Sequence, residues 1–176
     1  AYVRISELKK QAVEKLIDEI IEYLVWLPTP NENFSDVPIC PFIKKDFDND
    51  GILFLTQTKN DEFIDLVKKW DESGKNSGLI IQINMPQYGD RRRNYQASLN
   101  KKIEQIWPKD DNQPKVLVLD PSENWSISGV QTRKAPTMLI NIARRKDLRE
   151  ANRTLSKTKW YDKLSEEDLR RIKASE

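Results

Sequence analysis

Residues 52–85 read ILFLTQTKNDEFIDLVKKWDESGKNSGLIIQINM and carry the strongest indication of the fold. The stretch opens with an apolar run over 52–56 and closes with another over 79–85, and both runs predict strands. Between them, apolar residues recur at helical spacing from Phe63 to Trp70. Two strands joined by a helix of about ten residues or more are typical of a parallel βαβ unit with a right-handed crossover.

The same pattern continues along the chain. Residues 90–107 predict a helix whose inner side, towards the core, carries Tyr95, Leu99, Ile103 and Ile106. Residues 116–119 predict a short β-branched strand. Two later segments, 124–130 and 137–143, fit a hairpin added at one edge of the sheet. The predicted fold class is therefore α/β: a single domain with a mixed, mostly parallel sheet from βαβ units, a long N-terminal amphipathic helix, and an added C-terminal hairpin and helices.

The other segments flank this sheet core, which takes residues 51–143 of the single domain. Residues 1–27 carry an apolar stripe that predicts the long amphipathic helix, which we expect to cover a sheet, with self-association as the alternative. Residues 28–50 form a loop around a Cys-Pro-Phe motif, and residues 144–176 predict the C-terminal helices. Because a loop of more than about twenty residues exceeds ordinary connections, we expect it to pack over something or to carry function.

Composition excludes several classes of function. The 176 residues include no His, one Cys and five Gly. Without His there is no Ser-His-Asp or Cys-His nucleophile pair and no His-based metal site, and the glycines match no phosphate-binding loop. No apolar run approaches the roughly 20 residues of a membrane span, and a lone cysteine fits a reducing compartment. We therefore expect a soluble cytoplasmic protein with no membrane partner.

The net charge of +2 conceals an acidic first half and a basic second half. Residues 1–90 hold 10 Lys+Arg and 16 Asp+Glu, whereas residues 91–176 hold 20 and 12. The densest basic run, 133–159, has nine basic residues against two acidic ones. Such a run fits a solvated face, or a partner for the acidic half within the fold or across a homo-oligomer. It also fits nucleic-acid binding with Trp125 or Trp160 as stacking surfaces.

Two residues are candidates for catalysis, Cys40 and Asp120. Cys40 lies between Ile39 and Pro41, an apolar setting that favours an inert thiol, although Lys44 would favour the thiolate if the loop folds back. Asp120 ends the strand over 116–119, where ligands of parallel sheets collect, but Asp-Pro also opens ordinary turns.

One acidic motif has the spacing of a metal site. Asp46, Asp48 and Asp50, followed by Gly51, match the opening of a calcium loop, but the twelfth position is Gln57 in place of a bidentate Glu. The alternative interpretation is an acidic turn that leads into the strand over 52–56.

Three consecutive arginines, 91–93, begin the helix predicted over 90–107. Positive charge there opposes the helix dipole, so the cluster needs an anionic partner. An anionic ligand would supply one because backbone N–H groups at a helix start also favour anions. Carboxylates from the acidic first half would supply one within the fold.

Two short motifs, PICPFIK over 38–44 and TRKAPTMLI over 132–140, resemble those of an uncharacterised bacterial family of small α/β proteins. That family carries an N-terminal Cys-Pro-Phe motif and a late Arg-x-x-Pro-x-x-Leu-like motif. By this resemblance Cys40, Pro41, Phe42 and Arg133 carry over. The resemblance implies an α/β fold and a pairing of Cys40 with Arg133.

These observations favour the binding of a small anionic ligand near the Cys-Pro-Phe loop. Arg133, with Lys44 or Arg91, would hold the anion, and Trp125 would lie beside it. Catalysis at the same place, nucleic-acid binding through 133–159 and a homo-oligomeric interaction role are the alternatives. The sequence assigns no cofactor, substrate or reaction.

Overall fold

The computed structural model describes residues 5–26, 30–31, 37–38, 46, 48–123, 126–127, 130–131, 134–157, 165–167 and 169–170. In chain order its elements are α1 (Ile5–Trp26), β1 (Pro30–Asn31), β2 (Val37–Pro38), β3 (Ile52–Gln57), α2 (Phe63–Ser73), β4 (Ser77–Gln82), α3 (Arg92–Glu104), β5 (Pro114–Leu119), β6 (Ser126–Ile127), β7 (Val130–Gln131), β8 (Leu139–Arg144) and α4 (Arg145–Ser156). Short 3₁₀ helices, Asn60–Glu62 and Gly89–Arg91, lead into α2 and α3.

The main sheet has four strands in the order β3-β4-β8-β5. Strands β3 and β4 are parallel neighbours, with Ile52 opposite Ser77 and Gln57 opposite Gln82. Strand β8 is antiparallel to both β4 and β5, so β5 runs in the same direction as β3 and β4. This topology confirms the α/β class, the mixed sheet and the βαβ unit that residues 52–85 predicted.

The last strand lies in a different place from the one expected. The expectation that 137–143 would pair with 124–130 at a sheet edge is wrong, because β8 lies between β4 and β5. The hairpin near this segment is formed by β6 and β7, which pair with each other. Leu139, Ile140 and Ile142 of β8 are fully buried. Both faces of β8 are therefore covered, and its backbone pairs with β4 on one side and with β5 on the other, which makes it an interior strand.

The hydrophobic core lies between the sheet and the layer formed by α2 and α3. Helix α2 contacts β3 and β4, and helix α3 contacts β5. The layers are in close contact at Gly78, where a Cβ atom would stand 2.8 Å from Cδ1 of Trp70. The core cluster consists of Phe63, Leu66, Val67, Trp70, Ile80, Leu99, Ile103, Val116, Val118, Met138, Ile140 and Ile142.

The outer edge of β5 is covered by amide side chains of α3. Asn100 accepts a hydrogen bond from the Val116 N–H (3.0 Å) and donates one to the Val116 carbonyl (3.1 Å). One turn earlier, Gln96 Oε1 accepts from the Val118 N–H (2.9 Å). Because these amides satisfy edge groups that would otherwise be free to pair with another strand, they protect β5 from edge-to-edge association.

The apolar stripe of α1 is only partly buried. Ile20, Tyr23 and Leu24 are buried, whereas the neighbouring row of the stripe is 37–51% exposed and consists of Val13, Ile17, Ile21 and Val25. Near the end of the helix, Nζ of Lys134 stands 4.4 Å from the ring centroid of Trp26. Neither α1 nor any other helix in the described ranges has the length and apolar character needed to cross a membrane.

Candidate functional site

A cavity of about 460 Å³ opens between α3 and the loops that follow β3 and β4. The first loop contributes one lining residue, the turn before α3 contributes two, and α3 contributes the others. The lining residues are Asn60, Tyr88, Arg91, Asn94, Tyr95, Ser98, Leu99 and Lys102. The cavity therefore lies near the carboxyl ends of two parallel strands, where open α/β sheets bind their ligands.

The loop after β3 is held by two side chains. Gln57 is buried and donates from Nε2 to the Lys59 carbonyl (3.0 Å). Glu62 Oε1 accepts from the Thr58 hydroxyl (2.9 Å) and from the N–H groups of Thr58 (3.2 Å) and Lys59 (2.8 Å). The Thr58 hydroxyl, followed by these N–H groups, lowers the pKa of Glu62 below its ordinary 4.5. The loop therefore presents Asn60 to the cavity from a fixed backbone.

The turn before α3 is held by the carboxylate of Asp120. Its Oδ2 accepts from the N–H groups of Tyr88 (2.7 Å) and Gly89 (3.0 Å), and its Oδ1 accepts from the N–H (2.9 Å) and hydroxyl (2.6 Å) of Ser122. Asp120 has no exposed surface. Burial alone would raise the pKa of Asp120, but the four hydrogen bonds, that of the Ser122 hydroxyl first, leave it below 3.8. Asp120 thus positions Tyr88 and is not itself a lining residue.

Two stacked tyrosines form one wall of the cavity. The rings of Tyr88 and Tyr95 have centroids 4.2 Å apart and planes inclined by 16°. Beneath them Gln82, only 1% exposed, donates from Nε2 to the Tyr95 hydroxyl (2.9 Å) and to Oε1 of Gln57 (3.0 Å). Burial raises the pKa of Tyr95 above its ordinary 10.0, against the opposing effect of the Gln82 hydrogen bond. The Tyr95 hydroxyl therefore keeps its proton at neutral pH.

The arginines at 91–93 do not act as one cluster. Arg92 is fully buried and donates from Nε to Glu123 Oε2 (2.8 Å) and from Nη1 to Gln96 Oε1 (2.8 Å). Arg91 is exposed and lines the cavity. The expectation that the acidic first half supplies the partner is wrong for Arg92, because Glu123 belongs to the loop after β5, the strand on which α3 packs.

The described lining residues are two cations, three uncharged polar residues, two tyrosines and one leucine, and none of them is acidic. Arg91 and Lys102 lie eleven positions apart along α3 and its leading turn, which at 1.5 Å per residue is roughly 16 Å. The backbones of the two residues therefore stand towards opposite ends of the cavity, and their long side chains are able to extend from there towards its middle.

Four of the predicted ligand or catalytic residues, Cys40, Lys44, Trp125 and Arg133, lie outside the described residues. The pairing of the Cys40 loop with Arg133, and with it the approach of Trp125, stays a prediction. Of the predicted ligand-binding residues, Arg91 is the one that the described structure places in the cavity.

The acidic motif before β3 is an ordered turn. Asp46 Oδ2 accepts from the Ser77 hydroxyl (3.2 Å), and Asp50 Oδ2 accepts from Lys75 Nζ (3.0 Å). Asp48 is exposed. Across the described ranges, no three Asp, Glu, Cys or His side chains are grouped so that they could hold a metal ion. The observed contacts therefore match the acidic-turn interpretation of this motif.

Several side chains of the basic run 133–159 have acidic partners within the fold. One of them, Arg144, has its guanidinium 4.6 Å from the ring centroid of Trp70 in addition to its ion pair. The ion pairs are Arg144 with Asp71, Arg149 with Asp111 and Arg153 with Glu150. Of these three partners Asp71 belongs to the acidic first half, whereas Asp111 and Glu150 belong to the basic second half, so the Arg144–Asp71 pair is the one that matches the expected pairing of the run with the acidic half. Nucleic-acid binding and homo-oligomer formation stay predictions.

Sequence reasoning missed most of the cavity. It assigned Tyr95 and Leu99 to the core and gave no role to Asn94, Ser98 or Lys102. The signal that could have found them is spacing, because the lining positions from 91 to 102 recur every three or four residues along one helix face and none of them is acidic.

Comparison of the chain with family models, with curated proteins and with solved structures finds no match in any of the three. The chemistry of the cavity is therefore the basis for inferring function.

Proposed function

We propose that this chain binds a small anionic ligand in the cavity, and that Arg91 and Lys102 are the cations that hold it. Charge is the observation that carries the proposal: of the eight described lining residues two are cationic and none is acidic, in a chain with 28 acidic residues. Neither cation forms an ion pair with another described residue. Two such charges in a concave site attract an anion without an opposing carboxylate.

The shape and the other side chains of the cavity support the same ligand class. Its volume of about 460 Å³ falls within the roughly 300–1,000 Å³ that small-molecule sites occupy. Asn60, Asn94 and Ser98 add uncharged hydrogen-bonding groups, and Tyr88 with Tyr95 adds a flat apolar wall. Because the loops on both sides are already held by internal hydrogen bonds, binding would cost little ordering entropy.

The proposal keeps the ligand class that the sequence predicted and one of its residues, Arg91. It adds Lys102 and moves the centre of the site to α3. Phosphate and citrate are suitable probes, because they carry the two common kinds of oxyanion.

The test is a titration of the isotope-labelled chain with phosphate and with citrate, followed by backbone amide NMR at constant ionic strength. We expect at least one of the two to produce saturable shifts concentrated in residues 88–102. The double variant Arg91→Ala/Lys102→Ala should weaken this binding by about tenfold or more, since each lost charged contact is worth about 1.4 kcal/mol or more.

The matched control is Lys68→Ala/Lys69→Ala, which removes two exposed positive charges of α2 outside the cavity. This variant should bind like the unmodified chain. Shifts that chloride reproduces at equal ionic strength, or binding that survives loss of both cavity cations, would refute the proposal.

A further inference from the structure

Three side chains beneath the cavity form a hydrogen-bonded relay with a fixed direction. It starts at the Lys59 carbonyl, which can only accept, so the amide nitrogen of Gln57 must face it (3.0 Å). The oxygen of Gln57 then faces Gln82, whose amide nitrogen donates to it (3.0 Å). The same nitrogen donates to the hydroxyl of Tyr95 (2.9 Å). The backbone carbonyl at the start of the relay thus fixes which group donates at each step.

The alternative orientation of the Gln82 amide is disfavoured by this relay. Turning Gln82 over would bring its carbonyl oxygen to about 3 Å from the carbonyl oxygen of Gln57, and two acceptors repel at that distance. The observed orientation leaves Gln82 Oε1 buried and without a hydrogen-bond partner among the described residues. Burying one unpaired acceptor costs free energy, but this orientation avoids placing two acceptors face to face.

The relay decides what Tyr95 can do towards the cavity. Because its hydroxyl oxygen already accepts from Gln82, the hydroxyl hydrogen is available to donate, and no described residue accepts it. Tyr95 lines the cavity, between the positions of Arg91 and Lys102. Its raised pKa keeps the hydrogen in place under neutral conditions.

We propose that the Tyr95 hydroxyl is a pre-set hydrogen-bond donor to the ligand, so that the ligand places an anionic oxygen against it, and that Gln82 and Gln57 are positioning residues for this donor. This inference rests on the proposed anion-binding function and narrows it. The recognised ligand is an oxyanion, a phosphate or carboxylate that sets an unprotonated oxygen against the Tyr95 hydroxyl.

The first test compares Tyr95→Phe with Tyr23→Phe by calorimetric titration with whichever of phosphate and citrate the chain binds more tightly. Tyr95→Phe removes the hydroxyl and keeps the ring that stacks on Tyr88, so we expect affinity to fall by about tenfold or more. Tyr23 lies on α1 and does not line the cavity, so Tyr23→Phe should bind like the unmodified chain.

The outcomes separate this inference from the proposed function. Undiminished binding by Tyr95→Phe, together with loss of binding in Arg91→Ala/Lys102→Ala, would overturn the role of Tyr95 and leave anion binding intact. Absence of saturable binding of both probes to the unmodified chain would overturn both.

A second measurement does not depend on the folding of a variant. The ultraviolet difference spectrum of ionised tyrosine, recorded as the unmodified chain is titrated with alkali, reports how many of its five tyrosines have lost their protons at each pH. If Tyr95 donates to the bound oxyanion, saturating probe should move one tyrosine ionisation to higher pH by about one unit, which corresponds to a tenfold preference for the protonated form. Identical alkaline titrations with and without the probe would contradict the donor role.

Discussion

Replacing Asp120 by Asn should loosen the turn that carries the candidate site. The two carboxylate oxygens share four donors, two from Tyr88 and Gly89 and two from Ser122. An asparagine keeps one acceptor oxygen. If that oxygen faces Tyr88 and Gly89, its NH₂ group faces Ser122, whose hydroxyl can rotate to accept but whose N–H loses its partner.

The magnitude follows from these contacts. One unpaired N–H costs about 1–3 kcal/mol, and the lower end applies because Ser122 is exposed and water can replace the lost acceptor. The two remaining bonds lose charge assistance, which adds roughly 0.5 kcal/mol each. The free energy of unfolding should therefore fall by about 2 kcal/mol. In a chain of this size Tm should fall by roughly 4–8 °C.

The pH dependence distinguishes a charge effect from a packing effect. Because the pKa of Asp120 is lowered on folding, its stabilisation is present above the ordinary value of 3.8 and is lost as pH falls through the lower folded pKa. In urea unfolding, the difference in free energy of unfolding between the unmodified chain and Asp120→Asn should be constant near neutral pH. This difference should disappear in acid below pH 3.8. Ser122→Ala, which removes one hydroxyl donor, should cost about 1 kcal/mol. The reasoning would be refuted if this difference in free energy of unfolding stayed constant into acid, or if Asp120→Asn were as stable as the parent near neutral pH.

Three further substitutions test the fold around the site. Arg92→Met should lower the free energy of unfolding by about 3–5 kcal/mol, because it leaves the Glu123 carboxylate buried without its guanidinium partner; a urea midpoint close to that of the parent would contradict this. Gly78→Ala should cost about 1–3 kcal/mol in the same assay, since its methyl group would meet Trp70 at 2.8 Å, and an unchanged midpoint would show that the layers yield. Asn100→Leu should uncover the edge of β5 and produce concentration-dependent association in light scattering, an expectation that fails if the variant stays monodisperse at every concentration.

The unit β3-α2-β4 could be predicted because all of its signals are local. Two apolar runs, a helical period between them and a glycine at the end of the helix specify it without reference to the rest of the chain. Gly74 takes the left-handed conformation (φ 72°) that ends α2, as its position after Ser73 indicates. The place of β8 could not be predicted in this way, because an apolar run shows that a strand is buried but does not say which two strands it separates.

The candidate site was harder to predict because its residues come from separate segments. Helical periodicity correctly placed Tyr95 on the inner side of α3, but the same period describes a side chain in the core and one at a groove beside the core. The difference depends on the loop after β3, which brings Asn60 opposite α3. That loop is shaped by Gln57 and Glu62, two polar residues for which the sequence pattern indicated no role.

The arginines at 91–93 show that neighbours in the sequence can take different places in the fold. Positive charge at a helix start does need compensation, and Glu123 supplies it for Arg92, in a loop that reaches α3 because β5 packs beneath that helix. Successive helical residues are turned by about 100°, so one charge enters the interior while its neighbour Arg91 faces the cavity. The second cation of the proposed site is therefore Lys102, about three turns away on the same face. The proposed anion site thus depends on the residues that share one helix face and not on the charge cluster in the sequence.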